Sequence, residues 1–124
     1  MMKRYKKTDG CFIVRNVDEL PAERGTCGFR TRLITEKDCD SVGISHLKIS
    51  DAQKHYHEKT TEFYYVTNGE GELLVNDKLI PLKKGTIVMI KPGTIHQAIS
   101  HNNLEVLIIM APPLGEVNDQ IYVE

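Results

Sequence analysis

The sequence predicts an all-β domain, a sandwich or barrel of roughly nine to ten short strands. Three observations predict it. Short runs rich in β-branched and aromatic residues recur along the chain, such as F-I-V, F-Y-Y-V and T-I-V-M-I. Turn signals separate them at close spacing, among them Asn68-Gly69-Glu70-Gly71, Asn76-Asp77 and Lys91-Pro92-Gly93. No segment carries an apolar period of 3.6 residues over the length of a long helix.

Taken in order, residues 1–10 (M-M-K-R-Y-K-K-T-D-G) are expected to be a flexible basic tail, with Lys3, Arg4, Lys6 and Lys7 solvated. Residues 11–124 then form a single domain. Cys11 to Val17 reads as a first strand, stopped by Pro21. Gly28 to Thr35 alternates, with Phe29, Thr31 and Leu33 on one face and Arg30 and Arg32 on the other. The arginine face is expected to be wet, although two guanidinium groups on one face could also hold an anionic substrate. Val42 to Ile49 is a strand whose two faces both mix apolar and polar residues; His46 on it is read as structural or exposed. Glu72 to Val75, Leu79-Ile80 and Thr86 to Ile90 are short strands between turns. Leu104 to Met110 (L-E-V-L-I-I-M) is nearly continuous in apolar character, as for a strand buried on both sides, and Pro112-Pro113 ends it. Phe63, Val66, Ile87, Val88, Leu107 and Ile109 are the expected core. The tail from Leu114 to Glu124 has no period that assigns it.

Composition narrows the function. The chain has 124 residues, 40% apolar and 27% charged, which suits one soluble globular domain. A formal net charge of −1 lacks the basic footprint of a nucleic-acid binder. No stretch approaches the roughly 18 apolar residues of a membrane span, and no signal-peptide core follows the basic start. Cys11, Cys27 and Cys39 are odd in number and widely spaced, so they read as reduced thiols of a cytoplasmic protein, not a disulfide framework.

The informative stretch is H-Y-H-E-K-T-T-E-F-Y-Y-V-T-N-G, from His55 to Gly69. Residues i and i+2 face apart on a helix but share a face on a strand, so His55 and His57 meet one point only in extended chain. Glu62 adds a carboxylate. Imidazoles converging with a carboxylate are a common divalent-metal ligand set. Downstream, G-T-I-V-M-I-K-P-G-T-I-H runs from Gly85 to His96 and delivers another histidine from a second strand, just after a turn.

These two segments resemble the two motifs of the cupin superfamily. His55, His57, Glu62 and Gly69 match the first motif, and Gly85, Gly93 and His96 the second. The first motif's opening glycine is replaced by Ile49. In the second, Lys91 stands at the proline position, with Pro92 beside it, and Ser100 replaces the closing asparagine. The departures fall on turn and support positions. The resemblance covers roughly residues 42–111 and implies a double-stranded β-helix, a jelly-roll barrel with a ligand site between its sheets. It further implies one divalent first-row metal ion (Fe, Mn, Ni, Co or Zn) on His55, His57, Glu62 and His96. Octahedral geometry would leave positions open for a small molecule.

Strand parity extends the expected pocket. Gln53 shares the face of His55 and His57, Tyr64 that of Glu62, and Ser100 that of His96. With Arg30 and Arg32 these are the candidate substrate contacts, and Tyr64 is the candidate catalytic group, as a hydrogen-bond donor or weak acid. The resulting reading is a metal-dependent enzyme acting on a small sugar or carboxylic acid, of isomerase, dioxygenase or lyase type. The alternative is a non-catalytic, metal-supported binding module. A homodimer is expected, with the Cys11–Val17 and Gly28–Thr35 strands extending a partner's sheet.

Overall fold

The computed structural model describes residues 2–124, leaving aside the side chains of Glu116 and Val117. Its described residues form a curled antiparallel sheet of nine strands. The strands are β1 (Glu23–Arg24), β2 (Gly28–Ile34), β3 (Gly43–Ile49), β4 (His55–Tyr56), β5 (Thr61–Val75), β6 (Lys78–Lys83), β7 (Ile87–Ile90), β8 (His96–Ala111) and β9 (Ile121–Tyr122). One short helix, α1 (Gly115–Asp119), lies before β9. The all-β expectation holds, and the helix is too short to cross a membrane.

Two long strands organise the sheet. β5 and β8 pair antiparallel along almost their whole length, from Thr61↔Ala111 to Val75↔His96. The register shifts between Val66 and Gly71, where both strands bend. Gly69 sits at this bend with φ +74°, and a Cβ there would lie 2.1 Å from the Asn103 carbonyl oxygen. Only glycine fits, for space as well as for dihedral. The bend splits each long strand into two halves with different partners. The early part of β5 pairs with β7 (Glu62↔Ile90, Tyr64↔Val88), and its later part with β6 through a hairpin turning at Asn76, φ +53°. β3 flanks the late half of β8, and β2 flanks β3.

Side-chain parity decides what lies inside. Tyr64, Val66, Leu73, Leu82, Ile90, Ala98, Leu104, Val106 and Ile108 pack with Leu47 and Ile49 as the buried core. Of the expected core Val66 belongs there, and half-buried Val88 packs against it. Leu104 to Met110 is not buried on both faces: Leu104, Val106 and Ile108 point inward, while Leu107 and Ile109 are half-buried on the outer face. Ile87 is 60% exposed on that same outer face. Parity was invisible in L-E-V-L-I-I-M because both faces carry aliphatic residues. The outer face remains apolar in register, with Met89 opposite Phe63, Phe63 opposite Ile109, and Ile109 opposite Ile44.

The N-terminal expectation needs correction. Cys11 to Val17 is not a strand: it makes one isolated bridge, Thr8↔Ile13, and Val17–Glu19 is a turn of 3-10 helix. Asn16 caps that turn by accepting from the Asp18 N–H, a local bond that competes with extended chain. The segment is instead held by side chains: Arg15 forks onto Asp38 and donates to the Leu33 carbonyl, and Lys7 pairs with Glu19.

Candidate metal centre

His55 lies on β4, opposite His96 at the start of β8. β4 ends after Tyr56, and His57 follows it. Glu62 points inward from the second residue of β5. The four residues are 1%, 5%, 4% and 0% exposed for His55, His57, Glu62 and His96, so none reaches bulk water. One ligand atom from each falls within 4.8 Å of all the others. Sequence spacing therefore named four side chains that the fold brings together.

The imidazole orientations are fixed from behind. Nδ1 of His55 is 2.8 Å from the Gln53 carbonyl, Nδ1 of His57 is 2.6 Å from the Asp119 carbonyl, and Nδ1 of His96 is 2.9 Å from the Thr94 carbonyl. A carbonyl only accepts, so each Nδ1 carries the proton and donates it. In the neutral ring this leaves the lone pair on Nε2, at the cluster. Three Nε2 atoms thus face one carboxylate, the arrangement that backbone-bonded imidazoles take around a metal.

Electrostatics agree. His96 Nε2 lies 3.0 Å from Glu62 Oε1 in hydrogen-bond geometry. His57 Nε2 is at ion-pair distance, 3.1 Å from Glu62 Oε2, but is not aligned for a hydrogen bond and is left a buried nitrogen without a directed partner. Burial would raise the Glu62 carboxyl, yet His57 and His96 outweigh it and hold it well below the usual carboxylate range. Burial, reinforced by His96, pushes His55 down to about 4. For His57 burial acts downward, but Glu62 wins and raises it. A buried anion, a histidine held neutral and an orphaned nitrogen are together a site that a divalent cation fits.

A narrow cavity of about 50 Å³ opens beside the cluster. Its walls include His55, Glu62, Tyr64, Thr26, Arg30 and Gln120. Tyr64 is buried, its ring 5.9 Å from that of His96 and nearly perpendicular to it. Burial first, then Cys27 and Glu62, raise its phenol well above its ordinary value, so it stays protonated.

The remaining expected contacts divide. Arg30 lines the cavity and is only 18% exposed, so the expectation of a wet arginine face holds for Arg32 and not for Arg30, although both lie in the unbroken register of β2 with β3. Arg32 is 47% exposed, and Glu23 Oε1 lies 3.0 Å from Nε of both arginines. Gln53 is exposed and serves the site only through its carbonyl. Ser100 lies away from the cavity, where its hydroxyl accepts from the Leu104 N–H at the β8 bend. Parity failed for Gln53 because β4 is only two residues long, and for Ser100 because β8 bends beyond it. His46 and His101 are outside the cluster, paired with Glu105 and Glu72.

Sequence reasoning missed Asp119 and Gln120. Asp119 is 6% exposed, and its carboxylate accepts from the backbone N–H groups of Glu58, Lys59 and Thr60. Gln120 donates to Thr26 Oγ1 at 2.5 Å, and the Tyr122 hydroxyl lies 3.0 Å from the same atom. β9 pairs with β4, Tyr122 opposite His55. An aperiodic stretch of eleven residues gave no sign that it returns across the site.

The sequence of residues 48–111 matches the model of the cupin domain family. The chain belongs to that family. No curated protein is similar enough in sequence to match. Among solved structures, this cupin resembles a protein from Planctomyces limnophilus, with a TM-score of 0.81 and 22% identity over 90% of this chain and 98% of that one. It also resembles ectoine synthase from P. lautus, with a TM-score of 0.76 and 19% identity over 91% of both chains. The nucleoside dehydratase Pac13 of Streptomyces aligns with a TM-score of 0.75 and 17% identity, covering 98% of this chain and 92% of that one. At such identities the likeness establishes a shared fold.

Proposed function

We propose that this cupin is a metal-dependent enzyme of lyase type, removing water from a small oxygen-bearing substrate such as a hydroxy acid or sugar derivative. One observation carries the reading: three carbonyl-fixed imidazoles and a buried carboxylate meet beside a cavity that two of them, His55 and Glu62, line together with a protonated tyrosine. A closed structural metal site has no such opening. A divalent ion on His55, His57, Glu62 and His96 would supply Lewis acidity toward a substrate oxygen. Tyr64, as a phenol, is placed to donate a hydrogen bond or a proton to an oxygen that leaves. Arg30 gives the cavity wall a cation suited to a carboxylate or other anionic group. The structural neighbours include a nucleoside dehydratase and ectoine synthase, which supports a small-molecule reaction of this kind.

The test is metal-reconstituted protein incubated with panels of nucleosides, hydroxy acids and sugar acids, followed by mass spectrometry for loss of one water. Turnover that needs metal and falls sharply in Tyr64→Phe supports the reading. Metal-dependent binding of such ligands with no product would favour a binding module.

The assembly we propose is a homodimer, with the interface moved from the expected N-terminal strand to the outer sheet face. Phe63, Tyr65, Ile87, Met89, Leu107 and Ile109 lie there in adjoining rows, and stacking against a second copy would cover them. A monomer mass by light scattering at micromolar concentration would contradict it.

A further inference from the structure

The C-terminal segment touches the candidate metal centre twice through one residue. The Asp119 carbonyl takes the Nδ1 proton of His57, and the Asp119 carboxylate gathers three successive N–H groups of the loop immediately after His57. The distances are 2.8 Å to Glu58 N, 3.0 Å to Lys59 N and 2.8 Å to Thr60 N. That loop is the whole connection between two ligands, His57 and Glu62. Without the Asp119 carboxylate the loop's donors would lose their acceptor, and the backbone carbonyl that sets the His57 tautomer would lose the anchor that holds it against the ring. His57 is also the ligand that needs such help. His55 and His96 lie on paired strands and bond to carbonyls two residues away in their own segments, whereas His57 depends on a residue 62 positions distant.

We propose that Asp119 is a positioning residue for the metal centre: it fixes His57 and the loop to Glu62, so the C-terminal segment is part of the site. Metal binding and docking of residues 115–122 are then one coupled equilibrium, because each favours the same arrangement of His57. The segment also supplies Gly115 and Gln120 to the cavity wall, so its docking completes the cavity as well. The inference rests on reading the four-residue cluster as a metal site.

Cobalt(II) titration of metal-free, full-length protein tests both readings separately. Binding is followed by calorimetry and by the visible ligand-field bands. Asp119→Ala keeps the backbone carbonyl but removes the carboxylate that anchors it, and should weaken cobalt binding about 10- to 100-fold, the range seen when the support behind a ligating histidine is lost, and shift the bands. Asp119→Asn keeps acceptor oxygen without charge and should fall between wild type and Asp119→Ala. In the wild type, cobalt should slow amide exchange at Glu58, Lys59 and Thr60, a readout that stands even where a variant does not fold. A wild type that binds no cobalt overturns the metal reading and this inference with it. A wild type that binds cobalt, with Asp119→Ala equal in affinity and bands or with unchanged exchange at residues 58–60, overturns the positioning role alone.

Discussion

His55 and His96 face each other as direct cross-strand partners, their rings 4.3 Å apart. Two residues 41 positions apart in sequence thus become a pair by strand register alone, with Nε2 of each directed to the cluster. Because register fixes two candidate ligands, the remaining two can be tested individually. His57→Ala should abolish stoichiometric metal binding and leave a folded β protein. His46→Ala and His101→Ala should keep full metal content, since their partners are Glu105 and Glu72. Metal analysis after dialysis, with circular dichroism on the same samples, checks all three.

Fold and metal should be separable. The buried hydrophobic core, from Cys27 to Ile108, is built of side chains other than the four candidate ligands, so its burial does not wait for an ion. A zinc finger differs, because there the metal supplies the folding energy. Chelated protein should remain a cooperative β fold, and added metal should raise its Tm in a concentration-dependent way, adding about 2.7 kcal/mol of stability at a hundred times Kd. A chelated chain without a cooperative transition would refute this.

The cluster of candidate ligands was legible in the sequence because extended chain converts H-x-H spacing into a shared face. Glu62 and His96 followed from strands flanked by readable turns. Arg30 was legible only as a candidate, because it shares strand parity with Arg32 and nothing in G-F-R-T-R-L-I-T says which of the two lies over the cavity. Asp119 was not legible at all: its role depends on a long-range return of the chain, and an acidic residue in an aperiodic tail looks the same whether solvated or buried. Core parity failed for a simpler reason. The outer sheet face is as apolar as the inner one, so alternation carried no signal.

That last point gives a stability test. Leu73 is fully buried at 0% exposure, while Leu79, on the neighbouring strand β6, is 57% exposed. Leu73→Ala should cost about 2–5 kcal/mol in urea unfolding, through lost burial and the cavity left behind. Leu79→Ala should stay within about 0.5 kcal/mol. Similar losses at both sites would mean that the inner and outer faces are wrongly assigned.

Asp38 offers a pH test away from the metal centre. Arg15 first, then the Thr35 N–H, hold its carboxyl well below the usual carboxylate range. A depressed folded-state pKa contributes stability above the unfolded value of about 3.9, and the contribution disappears as pH falls through the lower folded value. Chelated Asp38→Asn should therefore melt below chelated wild type at pH 7, and the gap should close in strong acid. A gap that persists unchanged to the lowest pH at which both proteins fold would remove the charge from the explanation.

Gly69 separates a motif residue that shapes the chain from those that gather at the candidate metal centre. Its φ of +74° and the 2.1 Å approach of a Cβ to the Asn103 carbonyl oxygen combine strain with a clash against backbone. The obstacle belongs to the β8 bend and cannot rotate away as a side chain would. Gly85 shares the left-handed region, at φ +92°, but a Cβ there meets nothing within 4 Å. Gly85→Ala should then cost only the backbone term, about 1–2 kcal/mol, and Gly69→Ala clearly more. The clash lies in the β5–β8 bend and not at a ligand, so any Gly69→Ala protein that folds should still bind one equivalent of metal. Paired denaturation curves and metal titrations of the two variants decide it: equal destabilisation would show that the β8 backbone yields, and lost metal in folded Gly69→Ala would show that the bend reaches the site.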